Sequence, residues 1–493
     1  MIWFLCYLCA SVFQKLLYPR RLSYWRVGLL AETGIADQAA ARSSYERLRP
    51  ATLLAKLGRS QLCESAVRGK VYPMSQLKLN RRSFLAASTL FAAPYLVPSS
   101  VFGANERIVT AHIGLGGQGL GNLNAFIGKG VSPAALCDVD SDHLERAVKH
   151  VTDKGHTTEG YRDYRKLLER KDIDAVVIST PDHWHALTTI HACQAGKDVY
   201  CEKPLSLTVA EGRRMVNEAR TNMRIVQTGS QQRSDDRFRK ACELVRSGKL
   251  GKISEVQVAI PGCNFSGKPV PDSDPPAVLD YDLWLGPAPQ RPYNQKRVHY
   301  SFRFFWDYSG GQMTNFGAHH LDIAQWGLGM DDSGPVSVEG TAQFHPEHYY
   351  EVTSACRLTY TYANGVKVVL GQGQKDISGA VTFIGDKGRI SVDRGRISSL
   401  PSEILEQAPG EDDVRLYKSA NHHANFLDCI RTRKLPICDV EIGHRSATVC
   451  HLGNIVARLG RKIQWDPVKE VIVGDEEAAA MLSRPYRQPW EQA

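Results

Sequence analysis

Glu202-Lys203-Pro204 stands one half-domain beyond a glycine fingerprint, Gly114-Leu115-Gly116-Gly117-Gln118-Gly119. Glycines in the GxGxxG spacing allow a tight turn, close backbone approach to a pyrophosphate and close helix–strand packing. Residues 315–322 add a polar group containing the adjacent His319 and His320. These parts suit oxidation of a secondary alcohol, in which a bound dinucleotide takes a hydride and a side chain takes the hydroxyl proton. A lysine amine is normally too basic for that role. Partial burial beside a cationic ring lowers its pKa, because desolvation and a like charge both disfavour the ammonium form. Pro204 biases Lys203 towards extended backbone, which restricts where the amine points. His319 is suited to relay the proton or to hydrogen-bond the substrate oxygen.

The elements needed to position these groups are legible. Residues 107–113 read as a buried strand running into the glycine turn. A helix follows with Leu120, Leu123 and Ile127 on one face, its first N–H groups aimed at the phosphates. A second strand, 134–139, ends in Cys137-Asp138-Val139-Asp140. Asp138 lies about twenty residues past the fingerprint, where a carboxylate accepts ribose hydroxyls and repels a 2′-phosphate, which favours NAD over NADP. Further strands at 174–179, 198–201 and 225–227 alternate with helices, one opened by a Thr208–Glu211 capping box. The alternation predicts a parallel, doubly wound α/β sheet. Beyond a strand at 252–260 and an irregular stretch at 261–292, strands at 336–344, 353–363, 366–372, 380–385 and 388–392 follow with few helices between them. Turns at 362–365 and 385–388 make a mostly antiparallel open sheet in a second, α+β domain. Helices at 422–431 and 443–459 are expected to return towards the first domain.

The glycine loop, the Cys137-Asp138-Val139-Asp140 strand end, Thr180-Pro181-Asp182-His183-Trp184-His185, Glu202-Lys203-Pro204, the 311–326 stretch and the 425–466 stretch together resemble the Gfo/Idh/MocA oxidoreductase family. The resemblance covers nearly everything after residue 105. It implies that Thr180, Pro181 and Asp182 lie along the cofactor, although many members carry Asn at 182. It implies that Glu202 lies near the nicotinamide ribose, that Lys203 is the catalytic lysine, and that His319 is the histidine of a D-x-x-x-H pattern. Asn315 occupies the aspartate position of that pattern. An amide can orient a sugar hydroxyl but cannot hold a negative charge, so weight shifts onto Lys203 and His319. The resemblance also implies a homo-oligomer contact through the second domain's sheet.

Other residues are candidates for contact with cofactor or substrate. His185 begins a helix beside the cofactor loop, and Trp184 suits either a pocket wall or a core. The aromatic run at 299–308 contains Arg303 and Trp306; such a run suits a sugar ring and equally suits a core. Arg233 follows the sixth strand and is a further candidate for the substrate lining. His319, His320 and Asp322 are types that bind zinc, but side chains adjacent on a helix point about a hundred degrees apart, so no metal is expected.

Domain limits are set at 105–230 for the dinucleotide domain, 231–465 for the substrate and oligomerisation domain, and 466–493 for a tail. Residues 74–104 resemble a twin-arginine export signal, with Arg81-Arg82 before Phe84-Leu85 and a short apolar run that is too brief to span a membrane. Residues 1–73 are expected to come from a misassigned upstream start. The formal charge of +9 belongs to these leaders, so it gives no argument for nucleic acid. Twelve cysteines, nine after Ala104 and several inside apolar strands, argue against a disulfide framework.

An exported enzyme is expected to carry its cofactor and regenerate it in place, in the periplasm. The expected function is NAD-dependent oxidation of a sugar or sugar derivative. The alternatives are an NAD-dependent glycosidase that works by transient oxidation and elimination, and a non-catalytic sugar or nucleotide sensor of the same fold.

Overall fold

The computed structural model describes residues 107–490, except 266–267 and 409. The export segment and the upstream extension lie outside the described residues. Six parallel strands form the first sheet: β1 (Val109–Ile113), β2 (Ser132–Cys137), β3 (Glu159–Tyr161), β4 (Ala175–Ile178), β5 (Asp198–Cys201) and β6 (Val226–Thr228). Their order, β3-β2-β1-β4-β5-β6, reverses between β1 and β4, which opens a crevice at the carboxyl ends of the strands. Val176, Ile178, Val199 and Cys201 are fully buried because helices cover both sheet faces. The Thr208–Glu211 capping box is present. β3 carries no apolar run, being an exposed edge of three residues, and was not legible as a strand.

The second sheet has nine strands in the order β13-β12-β11-β7-β10-β9-β8-β14-β15. They are β7 (Ile253–Ile260), β8 (Ser337–Phe344), β9 (Thr353–Thr361), β10 (Lys367–Gln372), β11 (Val381–Gly385), β12 (Gly388–Asp393), β13 (Arg396–Leu400), β14 (Ile463–Asp466) and β15 (Val471–Val473). Only β7 and β10 pair in parallel; the other neighbours are antiparallel, as the hairpin turns required. The irregular stretch contains one short helix, Tyr281–Leu285.

Two helices return to bind the two domains into one unit. Phe426, Leu427 and Ile430 of the His422–Thr432 helix share a core with Phe126, Val177 and Tyr200 of the first domain. The Val440–Leu459 helix packs along the Val209–Thr221 helix. Residues 466–493 were expected to be a tail, but the described part is built into the fold. It supplies β15 and the Glu476–Ala480 helix, and it buries Trp490 edge-on against Trp184 at 5.0 Å. The nine cysteines among the described residues are free thiols. No helix among the described residues is long and apolar enough to cross a membrane.

A charge network fixes the docking. Arg213 of the first domain forks onto Glu441 (2.7 Å) and Glu470 (2.8 Å), while His444 Nε2 bonds Glu470 at 2.8 Å and Arg445 pairs with both acids. Burial opposes charge on Glu441, yet hydrogen bonds from Arg213 and Arg445 outweigh it and hold the carboxyl down at about 2. Its folded-state pKa is therefore below the ordinary 4.5, so its contribution is complete above pH 4.5 and is lost as pH falls towards 2. Arg213→Met is expected to cost about 1–2 kcal/mol near neutral pH, allowing for partial solvent screening. It should also flatten the loss of stability between pH 4.5 and 2. Urea denaturation across that pH range measures both effects; an unchanged acid limb would show that the network contributes nothing.

Candidate functional site

The glycine turn is as tight as its spacing required. Gly114 has φ +84°, and a Cβ on Gly119 would stand 1.9 Å from Gly114 O. A Cβ on Gly114 would stand 2.7 Å from Ser179 backbone atoms, so β1 and β4 meet here without side chains. Gly117 faces open space, and no side chain caps the helix that starts there. Free N–H groups and an uncovered backbone are what a pyrophosphate needs. Asp138 accepts Leu115 N–H at 2.6 Å and Asp140 N–H at 2.9 Å, with His143 Nδ1 3.7 Å away. Gly114, Gly117, Asp138 and His143 line a cleft of about 690 Å³ together with Thr180, Pro181 and Asp182. The residues present fit a dinucleotide.

A second lobe of about 490 Å³ adjoins the first and shares Gln118, Glu202, Lys203, Tyr300, Arg303 and Asn315 with it. Here the two domains meet. Lys203 follows β5, and its Nζ donates to Asn315 Oδ1 at 2.8 Å. Asn315 closes the Gln312–Asn315 helical turn, and its amide donates to Gln312 Oε1 at 3.0 Å. Loss of water around Lys203 lowers its pKa; Glu202 and Asp182 oppose this, while Arg303 and Arg394 add to it. The Gly317–Leu328 helix brings His319 into the same lobe. His319 is nearly buried, and its Nδ1 has no partner among the described residues. Burial first, then Lys203 and Arg394, pushes its pKa well down. His319 is therefore neutral, suited to hydrogen bonding with a substrate hydroxyl rather than to holding a proton charge.

Glu202 is 5% exposed, and its Oε1 accepts from Gln118 (3.2 Å), Asn122 (3.0 Å) and Gln231 (3.0 Å). The acid thus ties the glycine-loop helix to the strand that carries Lys203. His185 is a brace as well. Its Nδ1 lies 2.7 Å from Pro204 O and its Nε2 2.9 Å from Thr180 O. Two acceptors on one ring require both nitrogens to carry protons. Burial opposes that charge, but Cys201, Asp182 and the Pro204 carbonyl raise the pKa to about 10. Asp182 accepts from Ser309 Oγ at 2.6 Å, and burial raises its carboxyl pKa.

Several expectations need correction. Arg233 lines neither lobe; it is fully buried and forks onto Asp322 (2.8 Å) and Asp331 (2.7 Å), so its role is structural. Asp322 also accepts from Ser446, which commits it to the same core network. His320 turns away and bonds Ala259 O through Nδ1 at 2.7 Å. Trp306 lies outside both linings, with Arg484 stacked on its ring at 3.9 Å and Arg458 at 4.3 Å. Arg303 does line the cleft. Gln231, Tyr300, Phe316 and Arg394 line the second lobe and were not anticipated as individual site residues. Asn122 joins Ser179 Oγ to Glu202, and an amide beside Leu123 and Phe126 on the buried face of its helix was the available signal. Asp140, His143 and His299 also draw together at the Asp138 end of the cleft, with His299 Nε2 3.5 Å from Asp140.

Residues 109–230 match the oxidoreductase family's NAD-binding Rossmann fold, and residues 238–492 match the same family's C-terminal alpha/beta domain. The chain belongs to the Gfo/Idh/MocA oxidoreductase family. Its first domain is thus an NAD-binding one. One relative, the glycosyl hydrolase family 109 protein of Shewanella pealeana, is 32% identical over 211 residues, which are 37% of this chain and 46% of that protein. The match spans less than half the length of that relative. The myo-inositol 2-dehydrogenase of Thermotoga maritima is 28% identical over 308 residues, 62% of this chain and 79% of that protein. The WlbA dehydrogenase of Bordetella pertussis, solved with NADH and UDP-GlcNAcA, shares the fold at TM-score 0.56 and 20% identity, covering 73% of this chain and 98% of its own.

Two variants test this site. Gly119→Ala places a methyl inside the turn and is expected to abolish NAD binding in a titration while the second domain stays folded. Asn315→Asp sets a carboxylate against Lys203 and stabilises its ammonium. The acid limb of the kcat/KM profile should then move about one unit or more to higher pH. An unmoved limb would show that Lys203 is not the titrating base.

Proposed function

We propose that the protein is an NAD-dependent oxidoreductase acting at a secondary alcohol carbon of a sugar or sugar derivative, with Lys203 taking and returning the hydroxyl proton. The observation that carries this reading is the Lys203 Nζ–Asn315 Oδ1 contact at the junction of the NAD lobe and the second lobe. Bound NAD would supply the hydride acceptor. The glycine turn and Asp138 hold the dinucleotide, Glu202 fixes the loop that carries the amine, and Lys203, with its lowered pKa, accepts the proton. Neutral His319 hydrogen-bonds the same oxygen, and Asn315 orients the amine. Exposed Tyr300 offers a ring face at the rim.

A second reading is favoured by the likeness to glycosyl hydrolase family 109 proteins. Transient oxidation at a sugar carbon acidifies the neighbouring C–H, a glycosidic substituent leaves by elimination, water adds across the resulting double bond, and return of the hydride to the ketone restores the starting redox state. The Arg81-Arg82 segment supports export to the periplasm with the cofactor inside, which suits redox-neutral chemistry of this kind. The open second sheet supports a homo-oligomer formed through its uncovered face.

Purified protein is expected to release NAD on denaturation. A screen of sugars and glycosides on the holo-protein, following nicotinamide absorbance and products together, separates the readings. A lactone or keto-sugar identifies a dehydrogenase, and a freed aglycone identifies the glycosidase. Lys203→Met should reduce turnover by about 10²–10⁴-fold with NAD still bound. Undiminished turnover in that variant would refute the assignment of the base.

A further inference from the structure

Two guanidinium groups face the second lobe without a carboxylate of their own. Arg303 ends the His299–Phe304 helical turn, stacks over the Tyr300 ring at 4.1 Å and donates Nε–H to Tyr300 O at 2.8 Å. Arg394 enters from the second sheet, at the tip of the β12–β13 hairpin, with its Cζ 5.6 Å from the Phe316 ring centre. With the Gln232 amide turned to satisfy both neighbours, its oxygen accepts from Arg394 Nε at 3.2 Å and its nitrogen donates to His319 O at 3.1 Å. Neither arginine forms an ion pair among the described residues. Each is held by a ring face and one neutral acceptor, which leaves the rest of its fork free.

The acids nearby are already committed. Glu202 carries three amide donors, and Asp235 is occupied by Arg237 at 2.6 Å and by the Arg237 backbone N–H at 2.8 Å. Asp182, enclosed and bonded by Ser309, is pushed towards its neutral form. The lobe therefore holds two guanidinium groups, Arg303 and Arg394, that the acids lining it, Glu202 and Asp235, do not pair. Weakly hydrated, aromatic-stacked guanidinium forks suit an oxyanion. The pyrophosphate does not account for Arg394, which lines only the second lobe.

We infer that the substrate is a sugar bearing an anionic substituent, a carboxylate or a sulfate ester, seated between Arg303 and Arg394 while its reacting hydroxyl meets Lys203. The inference rests on the proposed sugar oxidoreductase reading and specifies its substrate class.

The test is calorimetric binding to the NAD-supplemented protein of matched sets: glucuronate, glucose 6-sulfate and glucose, and galacturonate, galactose 6-sulfate and galactose. At least one anionic member is expected to bind about tenfold or more tighter than its neutral partner, with the difference shrinking as salt rises. Arg394→Gln, at an exposed hairpin tip outside the dinucleotide lobe, should remove most of that preference while NAD affinity stays unchanged, and Arg303→Gln should remove most of it as well. A uronate preference identifies a sugar acid, and a sulfate preference identifies a sulfated sugar. No anionic member binding tighter than its neutral partner, or a preference intact in Arg394→Gln, overturns the inference. Loss of NAD affinity with selectivity retained in Arg303→Gln assigns that residue to the dinucleotide and overturns its part. NAD binding is measured first; its absence in wild type refutes the proposed function, while the sugar comparison still decides this inference.

Discussion

An amine at the end of one sheet meets an amide beneath the other, and the site exists only because that contact is made. Lys203 follows β5 of the NAD-binding domain, and Asn315 belongs to the helical segment packed under the nine-stranded sheet. Neither domain alone holds the pair. The returning helices and the Arg213–Glu441–Glu470 network keep the two domains in register. The placement of the amine against the amide thus depends on packing far from the pair.

The electrostatics of the pair follow from residue type. An aspartate at 315 would hold Lys203 as ammonium. The asparagine accepts the same N–H without adding charge, and enclosure with Arg303 and Arg394 nearby then favours the neutral amine. His319 is pushed the same way. What first reads as a lost acid is consistent with a base kept ready, with two neutral groups facing one hydroxyl. Glu202 and Asp182 limit the effect by opposing the cations.

The first sheet and the glycine turn were legible because their constraints are local. A turn that excludes Cβ atoms, strands buried on both faces and a capping box each write themselves into a few consecutive residues. The second sheet was legible through β12 because hairpin turns carry their own signals. β3, β13, β14 and β15 were not, since short edge strands are polar and take their shape from neighbours. The site divided along the same line. Lys203, Glu202, His319 and the cofactor loop came from contiguous motifs. Arg233 was misread because an arginine near a cleft and an arginine buried between two aspartates look identical in sequence. Arg394 was missed because a hairpin some 190 residues away in the chain supplies it.

The segment at 484–490 has a consequence for biogenesis. Tyr486 donates to Glu211 at 2.8 Å, Arg487 bonds the Gly286 and Pro287 carbonyls, and Trp490 seals Trp184 beside the dinucleotide lobe. The wall of the nucleotide pocket therefore waits for residues translated some 260 positions after β6. Until the ribosome releases that stretch, the nascent Rossmann unit keeps an indole face open to solvent. Maturation of the pocket is thus a late, whole-chain event, and chaperone surveillance of an unfinished polypeptide has a specific aromatic surface to read.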